Sequence, residues 1–179
     1  MAASLRAWGW HQLDSRWAER LVADAGIAPG ELVLDVGAGH GALTAPLVAA
    51  GARVIAVETH PDRVRHLRHR FGNEVVVVNA DARDLRLPRR PYRVVANPPF
   101  AVTTALLRRL LQPGSRLLSA HLILQDQAAR RWAGPAAPGL GRWGRTFQSS
   151  LGARIPRAAF RPRPHVAVRI LVIRRRQDA

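Results

Sequence analysis

The stretch Asn97-Pro98-Pro99-Phe100 combines residue types that could orient an aromatic amine for reaction. The 6-amino group of adenine is a weak nucleophile because its lone pair is delocalised into the ring. The side-chain oxygen of Asn97 and the backbone carbonyl of Pro98 could accept hydrogen bonds from its two N–H groups and favour a pyramidal nitrogen. Prolines restrict the backbone and remove competing donors, while Phe100 could stack on a base extruded from a duplex or stem. The alternative is an ordinary turn at the end of a strand.

A glycine-rich segment, Asp35-Val-Gly37-Ala-Gly39-His-Gly41, follows a short apolar run and precedes residues at helical spacing. Glycines allow a tight turn and a close approach of the backbone to a ligand. Glu58 ends the next apolar run, 21 residues after Gly37. A carboxylate at that position can accept hydrogen bonds from both hydroxyls of a ribose.

A further carboxylate, Asp81, follows the third apolar run and could accept a hydrogen bond from an adenine amino group. The glycine pattern is G-x-G-x-G, with Ala42 where a dinucleotide-binding loop has its last glycine, and no GK[ST] phosphate loop occurs. An adenosyl ligand without phosphate, S-adenosylmethionine, therefore fits these residues best. NAD and purely structural glycines with solvated acids are the alternatives.

Residues for several other chemistries are missing from the sequence. Cysteine is absent, which excludes disulfides, thiolate metal sites and a cysteine nucleophile. The seven histidines lack metal-ligand spacing, so we expect no metal, and His40 and His60 are expected to be exposed loop residues. Methyl transfer from a sulfonium needs no strong general base, which agrees with the lack of a Ser–His–Asp or paired-carboxylate arrangement.

The charge of the chain is one-sided. All 28 basic residues are arginines, against 12 acidic residues, for a net charge of +16. Residues 1–84 hold nine arginines and ten acids, whereas residues 85–179 hold 19 arginines and two acids. Because these arginines are interleaved with strand and helix patterns, nucleic acid is favoured as a partner over a basic tail on a neutral enzyme. Candidate phosphate contacts are Arg108, Arg109, Arg130, Arg131, Arg142 and Arg145, with Trp132 and Trp143 as candidate stacking residues.

Strands and helices that alternate along the chain must position these residues. Apolar runs predict strands at 32–36, 54–58, 74–81, 92–99, 119–125, 147–155 and 167–174. Helical spacing predicts helices at 15–26, 41–50, 61–71 and 103–111. This alternation predicts an α/β, Rossmann-like fold, with a mostly parallel seven-stranded sheet and helices on both faces. Trp132 would then either stack on a base or simply cover the core from a helix.

We expect a single domain over residues 1–179, without a long linker or internal repeat. Its expected parts are an N-terminal segment and helix (1–30), a cofactor-binding and catalytic core (31–132), a mobile Gly/Pro-rich loop (133–146) and final strands with a basic tail (147–179). No signal-peptide pattern and no apolar window of about 18 residues occur, so a cytoplasmic protein without membrane contact is expected.

The chain resembles the erythromycin-resistance (Erm-type) rRNA adenine N6-methyltransferases in six ordered motifs: LDVGAGHGALT, VIAVE, NADARDL, VVANPPF, LILQDQAARRW and AAFRPRPHV. The related small-subunit rRNA dimethyladenosine transferases share this order. The resemblance covers about Trp8 to Arg174, and NPPF in sequence with the other motifs is its most specific part. It implies S-adenosylmethionine as cofactor and an adenine in the peptidyl-transferase region of 23S rRNA as target. Methylation there would block macrolide-lincosamide-streptogramin type antibiotics.

The resemblance also implies roles for individual residues. The cofactor-binding set is His11, Leu13, Asp35, Gly37, Gly39, Gly41, Glu58, Asp81, Ala82 and Asn97. Within it, Glu58 would hold the ribose, and Asp81 with Ala82 would contact the cofactor adenine. The catalytic set is Asn97, Pro98, Phe100 and Phe160. There, Asn97 and Pro98 would hold the target amine, and Phe160 of the F-x-P-x-P stretch would be a second aromatic side chain near the base.

Some positions depart from the family pattern. The N-terminal Gln-Asn-Phe-Leu signature is represented by Trp10-His11-Gln12-Leu13, and Gln127 stands where an acidic residue is common. The usual Val-Asp-Ser is replaced by Val166-Ala167-Val168. Typical members continue into a C-terminal helical domain, whereas this sequence stops at Ala179 and resembles the short branch of the Erm group. We therefore expect no separate C-terminal RNA-binding domain, so the arginine-rich half would hold the RNA.

These observations predict a monomeric S-adenosylmethionine-dependent rRNA (adenine-N6)-methyltransferase. Its expected partner is 23S rRNA or an assembling large ribosomal subunit. The alternatives are a 16S rRNA adenine dimethyltransferase, a DNA adenine methyltransferase, or a non-catalytic RNA-binding module that senses the cofactor. A small-molecule methyltransferase is disfavoured by the basic half of the chain.

Overall fold

The computed structural model describes residues 11–177; Trp10 and the rest of the first ten residues of the predicted N-terminal segment lie outside this range, as do the last two residues of the predicted basic tail. Strands alternate with helices along the described part. The strands are β1 (Gln12–Leu13), β2 (Leu32–Val36), β3 (Arg53–Glu58), β4 (Val75–Asn79), β5 (Tyr92–Ala96), β6 (Leu117–Gln125), β7 (Phe147–Ile155), β8 (Phe160–Arg161) and β9 (Val168–Arg175). The helices are α1 (Ser15–Ala25), α2 (Thr44–Ala49), α3 (Pro61–Phe71), α4 (Thr103–Leu110), α5 (Asp126–Ala133) and α6 (Leu140–Trp143).

The main sheet has seven strands in the order β4-β3-β2-β5-β6-β9-β7. Adjacent strands from β4 to β6 pair in parallel, while β9 runs antiparallel to both of its neighbours, β6 and β7. The predicted mostly parallel, Rossmann-like α/β sheet is confirmed. Parallel neighbours need crossover connections, which the helices between them supply.

Helices cover both faces of the sheet, which explains why its strands are almost continuously apolar. All five residues of β2 are buried. One face packs against α4 and α5 through side chains such as Leu106 and Trp132. The opposite face packs against α1, α2 and α3 through Leu21, Leu47 and Leu67. The sheet is therefore a rigid platform for residues at its edge.

Local signals explain where α1 begins and ends and where α3 begins. The side chain of Asp14 accepts a hydrogen bond from the backbone N–H of Arg16 at the start of α1, and Gly26 ends this helix with φ +59°. At α3, His60 Nδ1 accepts from the N–H of Asp62 over 3.2 Å. His40 and His60 are both half-buried, so neither is as exposed as expected, and His60 caps α3.

Four strand ends bring the predicted functional residues to one edge of the sheet. The strands β2, β3, β4 and β5 are neighbours or near neighbours, and all run in the same direction. The glycine segment follows β2, Glu58 ends β3, Asp81 follows β4, and Asn97 follows β5. Their carboxyl ends are therefore on the same side, where ligands bind in open α/β sheets.

A small second sheet joins the start of the described chain to residues 160–161 near that edge. β1 pairs antiparallel with β8, with Leu13 opposite Phe160 and Gln12 opposite Arg161. The backbone N–H of Asp14 also donates to the carbonyl of Ala159 over 2.7 Å. The residues before the first helix are thus placed beside the late F-x-P-x-P stretch.

The Gly/Pro-rich segment is more ordered and more closely packed than its composition predicts. It contains the short helix α6, and Ala137 and Trp143 are buried in the hydrophobic core. Trp143 Nε1 donates to the carbonyl of Pro138 over 2.9 Å, and the rings of Trp143 and Trp132 are 6.5 Å apart. With 2 % and 5 % of their surfaces exposed, Trp132 and Trp143 cover the core. The hypothesis that they stack on RNA bases is therefore wrong for this structure.

The other predicted elements are present with small shifts at their ends. β2 and α3 have the predicted bounds, and β5 ends at Ala96, three residues before the predicted end at Pro99. α2 begins at Thr44 because the preceding glycine segment forms turns. Within residues 11–177, no helix is long and apolar enough to cross a membrane.

Candidate active site

A cavity of about 440 Å³ lies at the carboxyl edge of the sheet. Four predicted cofactor-binding residues line it: Gly37, Glu58, Asp81 and Ala82. Apolar lining comes from Val36, Val57, Pro99, Ala101 and Val102, and the remaining lining residues are Thr59, Arg63, Ala80 and Arg83. The cavity therefore has apolar walls with carboxylates at the ends of β3 and after β4, which suits a purine and a ribose.

Gly37 connects the glycine segment to the proline segment. Its φ is +77°, and a Cβ built on it would lie 3.0 Å from Pro99 Cδ, 3.3 Å from Pro98 Cα and 3.4 Å from the carbonyl oxygen of Asn97. A side chain here would strain the backbone and push the two segments apart. The two most specific sequence motifs are therefore in direct contact, and glycine is required for it.

Glu58 is 4 % exposed, and backbone N–H groups hold its carboxylate. Oε2 accepts from Gly39 over 2.8 Å, and Oε1 accepts from Thr59 and His60, each over 2.9 Å. The guanidinium of Arg63 is 4.0 Å from Oε1. Since Oε2 has a second lone pair, it can still accept a hydrogen bond from a ribose hydroxyl.

Asp81 is bound to a neighbouring arginine. Its Oδ1 accepts from the backbone N–H and Nε of Arg83, and its Oδ2 accepts from Arg83 Nη2 over 2.6 Å. The hydrogen bonds and the positive charge of Arg83 lower the pKa of Asp81. This carboxylate is therefore a fixed, ionised acceptor beside Ala82, and Oδ2 retains capacity for an amino group.

A narrow cleft adjoins this cavity and contains further predicted cofactor residues, Leu13, Asp35, Gly37 and Asn97. Asp35 is 1 % exposed, and its Oδ2 accepts a hydrogen bond from the hydroxyl of Thr44 over 2.7 Å. Burial raises the pKa of Asp35 to about 7, with the nearby Glu58 adding to the rise and the Thr44 hydrogen bond opposing it. Gly37 lines both the cavity and the cleft, so the two adjoin at this glycine.

The side-chain amide of Asn97 has a defined orientation. Its Nδ2 donates to the backbone carbonyl of His11 over 2.7 Å. Because a carbonyl oxygen can only accept, the amide atom that faces it must be the nitrogen, which leaves Oδ1 as the free acceptor of the amide. The His11 ring contacts Phe100 with 5.8 Å between centroids, and its Nδ1–H donates to the carbonyl of Pro162 over 2.7 Å. His11 lies beside Asn97 and Phe100, which are predicted to hold the target base, and lines neither the cavity nor the cleft.

Not every predicted site residue is exposed to a ligand. Phe160 is 1 % exposed and packs in the core, so it offers no ring face to a base in this structure. Gly39 and Gly41 line neither the cavity nor the cleft. A Cβ on Gly41 would lie 2.7 Å from the ring of Phe71, so packing against α3 accounts for this glycine. Gly39 acts through the hydrogen bond of its N–H to Glu58.

The six candidate phosphate-binding arginines divide into two groups. Arg109 bonds to backbone carbonyls, and Arg130 bonds through Nε to Asp126 Oδ2 over 2.8 Å. Asp126 also binds Arg169 Nε over 2.7 Å and lies 3.5 Å from Arg154. These arginines, with the Arg130 bond first, lower the pKa of Asp126 to about 2. The other four are exposed, and none is paired with an acid among residues 11–177: Arg108, Arg131, Arg142 and Arg145.

The sequence did not point to two charged residues of the site. Arg63 is 6 % exposed and lies beside Glu58, and Arg83 fixes Asp81. The position of Arg83, two residues after Asp81, permits such a pair. The burial of Arg63 depends on how α3 packs against β3, which has no local signal. Within residues 11–177, no group of three or more His, Cys, Asp or Glu side chains could hold a metal ion.

The residues present fit an adenosyl ligand. Asp35, Gly37 and Asn97 line the cleft together, and a Cβ on Gly37 would collide with the proline segment. Oxygen acceptors are available at Glu58 and Asp81, while the described lining has no lysine or glycine-rich phosphate cradle for a pyrophosphate. This chemistry favours S-adenosylmethionine over NAD.

Comparison with known proteins agrees with this site. The family model described as "Ribosomal RNA adenine dimethylase" matches residues 13–179. An rRNA adenine N-6-methyltransferase of Corynebacterium diphtheriae is 40 % identical over 149 residues, which is 82 % of this chain and 58 % of that protein. The mycinamicin-resistance protein MyrB of Micromonospora griseorubida is 40 % identical over 148 residues, 80 % of this chain and 47 % of MyrB.

A ribosomal RNA small subunit methyltransferase A of Leifsonia xyli is 38 % identical over 135 residues, which is 71 % of this chain and 48 % of that protein. The chain thus spans about half the length of the curated relatives that it matches. The crystal structure of the 23S rRNA methyltransferase ErmE superposes with a TM-score of 0.79 at 27 % identity, covering 92 % of this chain and 69 % of ErmE. On the family match and on these identities, the chain belongs to the ribosomal RNA adenine dimethylase family.

Proposed function

We propose that this protein transfers a methyl group from S-adenosylmethionine to the N6 amino group of an adenine in 23S rRNA. The observation that carries the proposal is the fixed amide of Asn97, whose Oδ1 is left as an acceptor at the end of the cofactor cleft. A protein that only sensed the cofactor would have no use for such a group. The concentration of 19 arginines in residues 85–179 supports a nucleic-acid substrate over a small molecule.

The chain's own residues would prepare the amine and hold the cofactor. When bound, S-adenosylmethionine supplies an activated methyl group: its C–S bond breaks with the electron pair staying on sulfur, the N6 lone pair forms the N–C bond, and one N6 proton leaves to solvent. Asn97 Oδ1 and the Pro98 carbonyl would accept from the two N6–H groups and localise the nitrogen lone pair. Phe100 would hold the plane of the base. Glu58, Asp81 and Ala82 would hold the adenosine portion of the cofactor.

The 23S target and antibiotic resistance are supported by relatives rather than by the geometry. MyrB is a mycinamicin-resistance protein, and ErmE is a 23S rRNA methyltransferase. Dimethylation of 16S rRNA is the second candidate, because the Leifsonia relative is a small subunit methyltransferase at nearly the same identity. We propose that residues 11–177 act as one methyltransferase unit, and that the free arginines Arg108, Arg131, Arg142 and Arg145 contact phosphates.

The deciding experiment is transfer of a labelled methyl group to naked 23S rRNA, naked 16S rRNA and duplex DNA, followed by mapping of the modified base. We expect label at an N6-methylated adenine in 23S rRNA alone. Label in 16S rRNA alone would establish the second candidate. A protein that binds the cofactor but labels none of the three, nor an assembling large subunit, would contradict the proposal.

The role of Asn97 can be tested separately. We expect Asn97→Ala to lower kcat at least about 100-fold, since one well-placed polar group in an active site is worth about this much. The Kd for S-adenosylmethionine should change less than about threefold, because most of the cavity is unaltered. Asn97→Asp is the matched control, since it retains an acceptor oxygen but loses the hydrogen bond to His11. Turnover of Asn97→Ala within tenfold of the wild type would disprove the assigned role.

A further inference from the structure

Arg109 makes an unusual set of contacts for an arginine on the surface side of a helix. It lies in α4, and its Nε and Nη2 donate to the carbonyl of Leu85 over 3.0 and 2.6 Å. Its Nη1 donates to the carbonyl of Arg83 over 3.2 Å. The guanidinium is therefore bound to the segment after β4 and is not available as a phosphate contact, which corrects the sequence-based expectation for this residue.

These hydrogen bonds connect the two walls of the cofactor cavity. One wall is formed by residues 80–83, which follow β4, and the other by Pro99, Ala101 and Val102, which lead directly into α4. In the sheet, β4 and β5 are separated by β3 and β2, so no strand pairing connects the walls. Arg109 spans this gap from the helix that continues one wall to the carbonyls that continue the other.

The N–H of Ala80 donates to the carbonyl of Glu58 over 3.3 Å, which ties the start of the segment after β4 to β3. Within residues 11–177, the other hydrogen bonds of this segment, apart from those of Arg109, do not reach the opposite wall. The N–H groups of Arg83 and Asp84 donate to Asp81, and both bonds are internal to the segment. Ala82 and Leu85 are buried in the same hydrophobic cluster as residues of α4, so apolar packing also holds the two segments together, but the hydrophobic effect is not directional. The guanidinium is planar and holds its donors in fixed positions, so its hydrogen bonds do have a preferred direction.

We propose that Arg109 is a positioning residue for the cofactor: it fixes the spacing of the two cavity walls and thereby the affinity for the adenosine portion. This inference rests on the proposed assignment of Asp81 and Ala82 to the cofactor adenine. It differs from a role in RNA binding, because a lysine would preserve a phosphate contact but cannot reproduce three hydrogen bonds to two carbonyls.

The test measures binding of two adenosine-containing probes, S-adenosylmethionine and 5′-methylthioadenosine, to Arg109→Gln and Arg109→Lys by calorimetry. We expect the Kd of both probes to rise about tenfold in both variants, in line with the loss of charge-assisted hydrogen bonds. The KM for S-adenosylmethionine should rise in parallel, with kcat at saturating cofactor within about twofold. Arg109→Lys keeps the charge and most of the stem packing, so it remains informative if Arg109→Gln is poorly folded.

The matched control is Arg86→Gln, which removes the same charge from an exposed residue adjoining Leu85 that forms none of these bonds. Its probe affinities should equal those of the wild type. Normal probe affinity in both Arg109 variants, or a loss in Arg109→Gln that Arg109→Lys restores fully, would overturn the inference. Because binding is measured without RNA, failure of the proposed 23S activity would leave this result interpretable.

Discussion

Asp35 is a buried carboxyl group whose charge the folded protein disfavours. Burial raises its pKa to about 7, compared with 3.8 for an ordinary aspartate. Between pH 4 and pH 7 the folded protein therefore holds a proton that the unfolded chain has lost. The free energy of unfolding should fall as the pH rises through this window, and the contribution of Asp35 is lost above it.

Replacing Asp35 by asparagine should remove this pH dependence, because an amide does not ionise and can still accept from Thr44. As the pH rises from 4 to 8, the free energy of unfolding of Asp35→Asn should increase by about 1 to 4 kcal/mol relative to that of the wild type, since each pKa unit corresponds to about 1.4 kcal/mol. Urea denaturation of the cofactor-free proteins at each pH measures this difference in the free energy of unfolding.

Comparison with the wild type at each pH also removes the effect of His121. This buried histidine has its pKa lowered to about 4, chiefly by burial, so its contribution has the opposite sign and is lost as the pH falls. A constant difference between wild type and Asp35→Asn from pH 4 to pH 8 would show that Asp35 ionises normally.

At the scale of single residues, the sequence identified what depends on local order along the chain. Gly37, Glu58, Asp81 and Asn97 each follow or end a strand, so their convergence follows from a parallel sheet. It did not identify the contacts of Arg109, because residues 83–85 and 109 come together only through the packing of α4. The roles predicted for the individual site residues remain predictions.

At the scale of elements, hydrophobic periodicity predicted the strands well because most of them are buried on both faces. It did not predict α6, because a segment with several glycines and prolines has no regular spacing. What orders this segment is a distant contact, between Trp143 and Trp132 of α5. Composition therefore describes a segment poorly when a single large side chain anchors it.

The packing of α6 predicts a large stability effect for one residue. Trp143→Ala should lower the free energy of unfolding by about 3 to 5 kcal/mol, because it leaves a cavity where a buried indole lay. Equilibrium urea denaturation measures this loss. The adjacent exposed residue provides the control, and Arg142→Ala should change stability by less than about 0.5 kcal/mol. A loss below 1 kcal/mol for Trp143→Ala would mean that the segment is loosely attached in solution.

At the scale of the whole molecule, the charge is divided between two functions. Asp126 neutralises part of an arginine cluster at the start of α5, and Arg109 braces the cofactor cavity. The arginines on and beside α6, Arg142 and Arg145, are exposed and bond to no acid in the described part of the chain. An arginine that binds an RNA phosphate displaces a counterion from it, and only arginines that no protein carboxylate neutralises are available to do so.

The dependence of RNA affinity on salt tests this division. The slope of log K against log salt concentration should be clearly negative, and replacing Arg142 and Arg145 by glutamine should make it less negative by about 1.5, since each phosphate contact contributes about 0.7 to 0.9. Filter binding over 50 to 300 mM salt measures the slope. Arg16→Gln with Arg53→Gln removes the same charge from exposed positions in the other half and should leave it unchanged. Equal slopes for the two double variants would contradict a local RNA contact.

The position of β9 has a consequence for how the protein folds during synthesis. Among the described strands it comes last in sequence, yet it lies between β6 and β7. Chains emerge from the ribosome with the N-terminal part first, so the strands that carry the glycine segment and Glu58 can assemble early. Until residues 168–175 emerge, one edge of β6 is unpaired and β7 has no place in the sheet. A nascent chain would thus expose open strand edges until β9 is available, and such edges can pair with other chains.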